Sequence, residues 1–300
     1  MKMKNNMVIF SLAAMAIFLL VVSLSGCGAK RETAYLEPDT TKVVDKEKVS
    51  ELIKTANAYY EKRAEARSMK EALKMYEKVV ELDPTNKDIL QKLAIGCYWY
   101  ATGHLTDTEA QLEYYNKGAE YGERGMALNP AFKKRVMAGE KDYECLDALG
   151  KEDIPSVYWV FGNLGRWSNL KGFTTILKNK NKLKAIADWV TYTDENYYYG
   201  AGHRVLGTYY AKAPSFAGGD INKAKTHFEK ALKISDDYIG TKVLMAEFYA
   251  YKSQDKELFV QLLTDAVNKD VNSIPGLEFE QSVEQKRAKD LLAKADDMFE

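Results

Sequence analysis

From about residue 50 onward the apolar positions recur at intervals of three and four residues, the period of a helix with one buried face, with none of the strict alternation of a half-buried strand. Leu183, Ile186, Ala187 and Val190 form such a stripe within 178–191, and Phe259, Leu263 and Ala266 another within 256–268. Ala246 and Tyr249 predict a helix over 241–252, and Pro155 suits the first turn of one reaching about Leu170. A closing helix is expected from about Glu278 to Phe299, with Val283, Ala288, Leu291, Leu292 and Ala295 inward and its charges outward, as a capping helix should be. Ahead of these, 50–84 supplies one helical pair and 88–130 a second, with ATGHLTDTEAQ read as an insertion between the helices of the second. Residues 131–153 are too long for a turn, which leaves an extra helix or a functional loop. Val271 to Leu277 forms a loop around Pro275.

Small residues interrupt the stripes. Gly118, Gly122 and Gly125 share one face of a helix at about 1 kcal/mol each in propensity against Ala, so a neighbour must approach closely there. Gly162 and Gly165 predict a second close contact of the same kind. In the stretch Tyr197 to Asp236, His203, Leu206, Gly207 and Tyr210 fall at x-x-L-G-x-x-Y, and Ala224, Phe228 and Ala231 follow at A-x-x-x-F-x-x-A. This resembles the tetratricopeptide-repeat pattern with His in place of its Trp. A hairpin of that kind cannot bury its own apolar face and so predicts neighbours. Between its helices Pro214 to Asp220 lengthens the turn; Asp220 is placed to cap the helix that follows, and Gly218 and Gly219 permit positive φ. The expected fold is all-α: a tetratricopeptide-repeat-like α-solenoid of helical hairpins with a cleft or pore.

The N-terminus follows another rule. Lys2 and Lys4 precede an apolar run from about Met7 to Leu24, and Leu24-Ser25-Gly26-Cys27 follows. This resembles a bacterial lipoprotein signal peptide with its lipobox, which implies cleavage before Cys27 and lipid attachment at Cys27. Residues 1–26 are then the signal peptide, 27–49 a lipidated flexible tether, and 50–300 the helical domain. Acyl chains would hold the chain to the membrane on the periplasmic side, because two or more of them give stable attachment where one does not. No Asp follows Cys27, which by analogy favours the outer membrane.

Composition narrows the function classes. Of 300 residues 46% are hydrophobic and 29% charged, enough for a real core. Basic and acidic residues balance at 43 each, and without Lys2 and Lys4 the remainder carries two more acids than bases, which argues against nucleic acid as a partner. The three histidines, His104, His203 and His227, show no metal-ligand spacing, and no nucleophile-and-base motif appears, so neither a metal, a cofactor nor catalysis is expected. Cys97 and Cys145 are either a disulfide of an oxidising compartment or two buried thiols.

The densest aromatic region includes Trp159, Phe161, Trp167, Tyr197, Tyr198, Tyr199, Tyr209 and Tyr210, interleaved with Asn163, Arg166, Asn169 and Arg204. Such rings are either core or the lining of an apolar pocket with a few convergent polar groups. Read as lining, they make Trp159, Asn163, Arg166, Trp167, Tyr198, Tyr199, His203, Arg204 and Tyr210 the candidate ligand-binding residues.

The lipobox, the helix YWVFGNLGRWSNL, the segment YYYGAGHRVLGTYYAKAPSFAGGDINKAKTHFEKAL, the pair TKVLMAEFYA and QDKELFVQLL, and the ending QKRAKDLLAKADDMF together resemble the T-component (TatT) family of TRAP transporters over roughly Ser50 to Glu300. The resemblance implies a lipid-anchored periplasmic protein that forms homotrimers, associates with a TRAP-type solute-binding protein, and accepts a small hydrophobic or amphipathic solute without covalent chemistry. The alternative is a generic tetratricopeptide-like envelope lipoprotein that scaffolds other proteins.

Overall fold

The structure, a computed structural model, describes Tyr35 and residues 44–299, so the expected signal peptide and the lipid-attachment Cys27 lie outside the described residues. Thirteen α-helices and no strand occur among the described residues. They are α1 (Lys46–Tyr60), α2 (Ala66–Leu82), α3 (Lys87–His104), α4 (Thr108–Ala127), α5 (Pro130–Met137), α6 (Ile154–Lys171) and α7 (Phe173–Thr193). Then follow α8 (Tyr197–Lys212), α9 (Ile221–Ile234), α10 (Ile239–Leu244), α11 (Lys256–Asn268), α12 (Glu278–Leu292) and α13 (Ala295–Met298). A π-helical stretch, Met245–Ala250, continues α10.

Short polar side chains set many of the starts. Asp45, Asn86, Asp107, Asn129, Asp220 and Asp255 each accept a hydrogen bond from a first-turn backbone N–H, which satisfies donors the helix itself cannot. Asp220 does so for two, Asn222 and Lys223, as the sequence leads one to expect.

Helices adjacent in the chain mostly pack on one another: α1 on α2, α2 on α3, α3 on α4, α6 on α7, α7 on α8 and α8 on α9. Helix α4 packs on α6, and α11 on both the π-helical stretch and α12. The array then closes on itself. Phe279 of α12 stacks on His104 of α3 with ring centroids 4.8 Å apart, and Arg63 in the α1–α2 turn donates to Glu280 at 2.8 Å. Gly103 makes room, because a Cβ there would lie 2.7 Å from the Phe279 ring.

That closure accounts for a departure from the sequence reading. Helix α12 buries Glu280, Gln281 and Glu284 instead of turning its charges outward. It is enclosed on more than one side, so its polar groups have partners: Gln281 accepts from the Ile239 N–H at 3.0 Å and donates to the Asp237 carbonyl at 2.7 Å, holding the start of α10.

Other boundaries also move. The first helix begins at Lys46, before Ser50, and Tyr35 is buried against Phe132. The ATGHLTDTEAQ segment is not an insertion: α3 runs on to His104 and α4 starts at Thr108. Residues 131–153 resolve into the rest of α5 and three 3-10 turns. Cys97 and Cys145 are both buried and free.

Candidate functional site

Helix α6 has two unlike faces. One lies in the glycine groove of α4, where a Cβ on Gly122 would fall 2.6 Å from Val160 and one on Gly125 2.5 Å from Ser156. Gly118 lies directly under the Asn163 amide, which is buried and donates to the carbonyls of Ala94 at 2.9 Å and Trp159 at 2.8 Å. The opposite face is open. A Cβ on Gly162 would make ordinary contact with Tyr98 at 3.4 Å, and one on Gly165 would meet only Phe161, at 3.9 Å. The close contact expected at Gly162 and Gly165 is therefore absent.

What those glycines border is a cavity of about 300 Å³, near the lower end of small-molecule sites. Several elements besides α6 enclose it: Tyr98 comes from α3, Phe173 and Leu177 from α7, Val205 and Thr208 from α8, Leu244 from α10, Phe248 from the π-helical stretch, and Arg287 from α12. A ring of helices closed by α12 leaves this space because no single pair can fill it. Its wall is mainly apolar, and Phe173 remains 58% exposed, so the apolar lining continues to the surface.

Two irregularities shape the wall. Tyr198, Tyr199 and Gly200 have φ of 41°, 60° and 77°, a left-handed turn that precedes the right-handed part of α8. Two non-glycine residues in that region cost on the order of 1–3 kcal/mol each and persist only where the surroundings hold them. Arg204 does so, donating to the carbonyls of Tyr199 at 2.9 Å and Tyr198 at 3.1 Å while its guanidinium lies 4.2 Å above the Tyr238 ring. Tyr199 stacks on Tyr238, and Tyr198 sits edge-on to Trp159. Burial pushes the Tyr198 and Tyr238 phenols far above their usual range, so both stay neutral donors. The second irregularity is the π-helical stretch, whose wider turn brings the adjacent residues Glu247 and Phe248 both to the cavity wall.

Of the sequence-predicted residues, Trp159, Arg166 and Arg204 stand on the cavity wall. Asn163 belongs to the α4–α6 contact, and Trp167 to a separate small cluster with Leu112, Tyr115 and Leu164. Tyr198 and Tyr199 lie behind the wall in the ring stack. His203 faces α9, where its Nδ1 lies 2.9 Å from Nδ1 of His227, and Tyr210 stacks on that same His227. Burial lowers the affinity of both imidazoles for a proton, and for His227, with His203 beside it, down to about 4. The lining residues absent from the sequence reading, Tyr98, Lys212, Glu247, Phe248 and Arg287 among them, come from elements far apart in the chain.

The charged groups of the wall are mostly cationic. Arg287 pairs with Glu247 and, at 3.5 Å, with Glu284. Lys212 donates to Asn169 at 2.8 Å and lies 4.9 Å from the Phe248 ring centroid. Desolvation holds the Lys212 ammonium below the usual lysine range; Glu247 opposes that lowering, and the like charges of Arg166 and Arg287 add to it. Among the described residues no three His, Cys, Asp or Glu side chains gather where they could hold a metal, and no helix is long and apolar enough to cross a membrane.

Comparison with known proteins adds two findings. The family model described as TRAP transporter T-component matches residues 64–299. A protein of Treponema pallidum (strain Nichols), described as uncharacterized, is 25% identical over 262 residues, spanning 78% of this chain and 79% of its own length.

Proposed function

Because the chain belongs to the TRAP transporter T-component family, an accessory part of a bacterial envelope transport system, we propose that it holds a small apolar or amphipathic solute in the cavity beside α6 and docks a TRAP-type solute-binding protein. The observation that carries this reading is the hollow itself. Helices α3, α6, α7, α8, α10 and α12 and the π-helical stretch converge on it, yet Gly162 and Gly165 leave it unfilled where a packed core would place side chains.

In this reading the cavity works by burial alone: apolar solute surface leaves water at roughly 25 cal/mol per Å² removed, with no bond made or broken. Trp159 supplies ring surface and Arg166 a polar contact. Arg204 keeps the wall in shape by bracing the left-handed turn, a positioning role, while Tyr198 and Tyr199 support it from behind. Asn163 and Trp167 act through the packing of α6, and His203 and Tyr210 through the seat of α8 on α9. Acylation at Cys27 places the folded part at the periplasmic face of the envelope membrane, and assembly as a homotrimer belongs to the same reading.

Native mass spectrometry of the full chain mixed with the solute-binding protein of its own transporter tests this. The expected result is a defined complex, with a small apolar molecule carried by one partner or exchanged between them. No complex at any concentration, with the chain instead retained by an unrelated envelope assembly, would replace the proposal with a scaffolding role.

A further inference from the structure

Outside the cavity, two imidazoles are aimed at each other. His203 of α8 and His227 of α9 approach Nδ1 to Nδ1 at 2.9 Å, with ring centroids 5.2 Å apart. One nitrogen must carry the hydrogen and the other the lone pair. Glu195 decides which: its carboxylate lies 3.4 Å from His203 Nε2, so His203 keeps its hydrogen there and accepts at Nδ1, and His227 donates.

Close contacts on both sides fix the spacing of the helices at this point. Gly207 lies against the Phe228 ring, 2.8 Å from a would-be Cβ, and Gly200 against the Ala231 backbone at 3.1 Å. Charged groups reach the pair from several elements. Helix α7 brings Lys184 and Asp188, paired at 2.6 Å, α9 brings Lys230, and Glu195 precedes α8. Tyr210 stacks on His227, and Lys184 and Lys223 lie over the Tyr210 ring. Helix α10 and the π-helical stretch also pack on α8 and α9, with Lys242 turned to Asp236 and Glu247 to Arg287.

A first proton leaves the contact whole, because one imidazolium can donate to one neutral ring. A second cannot be taken in the same way: both Nδ1 atoms then carry hydrogen, and two cations face each other close to Lys184 and Lys230. We infer that His203 and His227 are a proton-operated clasp, closed at neutral pH and forced open by the second proton, and that its opening loosens α8 from α9. Arg204, which braces the left-handed turn, and Val205 and Thr208 of the cavity wall stand on α8 just after His203, so proton uptake loosens one side of the hollow. That last step rests on the reading of the cavity as a solute site; the clasp itself does not. The direction in pH follows from where each form binds its protons. The unfolded chain protonates both rings near the ordinary 6.5, whereas burial makes the clasped rings take them up only further down, His227 at about 4. The closed form is therefore disfavoured as pH falls below 6.5 and unaffected above it.

NMR of the imidazole nitrogens in the full chain, followed from about pH 8 to about pH 4, tests the clasp. The expected result is a pair that titrates in two separated steps, both below about 6.5, with the neutral tautomers given above. Two rings titrating independently near 6.5 would overturn the inference. Hydrogen exchange, corrected for its intrinsic pH dependence, reads the opening: the α8 amides should exchange at least about tenfold faster at about pH 4.5 than at about pH 7.5, where linkage through His227 permits up to about a hundredfold. In His227→Gln, whose amide can still donate to His203, most of that rise should be lost; an undiminished rise also overturns the clasp. Because the wild-type titration decides, a poorly folded variant leaves the test intact. The consequence for the cavity is read with 1-decanol, which has no charge to titrate and should bind the wild-type chain at least about tenfold more weakly at the lower pH. Equal binding at both overturns the coupling of clasp to wall, and binding at neither removes the solute reading while the imidazole titration still decides the clasp.

Discussion

The glycine stripe of α4 and the glycine pair of α6 look alike in sequence and do opposite things. Gly118, Gly122 and Gly125 are filled by Asn163, Val160 and Ser156 from the facing helix, whereas Gly162 and Gly165, on the far side of that helix, border empty space. A glycine at helical spacing reports that the backbone surface is bare. It does not report whether a neighbouring chain or a ligand is to cover it. Together the two sets make α6 a partition, welded on one side and open on the other.

The largest expected effect in breaking that contrast is on the welded side. Gly118→Ala would drive its methyl into the Asn163 amide and cost the buried hydrogen bonds to Ala94 and Trp159. A loss of about 2–3 kcal/mol in urea unfolding is expected, the sum of overpacking and unsatisfied polar atoms. A change near zero would show the groove to be looser than drawn. The same substitution on the open side, Gly162→Ala, should be neutral or stabilise by up to about 1 kcal/mol through helix propensity, since Tyr98 stands at ordinary contact distance. A loss as large as at Gly118 would make the two faces equivalent.

Much of the hairpin α8–α9 was legible beforehand because its pattern encodes local packing. Gly207 is where the Phe228 ring lies, within 2.8 Å of a would-be Cβ, and Asp220 caps as its position after two glycines suggests. The left-handed turn at Tyr198 and Tyr199 was not legible, since nothing local favours positive φ in two tyrosines; the bracing by Arg204 and Tyr238 is tertiary. For the same reason the aromatic run could not be divided by eye. Trp159 and Trp167 differ by two helical turns, yet one borders the cavity and the other lies in the cluster around Leu112. Tyr98, Glu247 and Arg287 meet at the site only through the return of α12 onto α3 and the widened turn after α10, which no spacing along the chain announces.

The central claim is that the space beside α6 holds a solute, and filling it tests this most directly. In Gly165→Leu the added Cβ meets only Phe161, at 3.9 Å, and the rest of the side chain is directed at the hollow, so unfolding should be no easier than in the wild type, with up to about 1 kcal/mol gained from helix propensity. Decanoate and 1-decanol titrated into this variant should bind at least about tenfold more weakly than to the wild-type chain, a difference of about 1.4 kcal/mol. Affinity for both left unchanged, in a variant that unfolds like the wild type, would contradict the account.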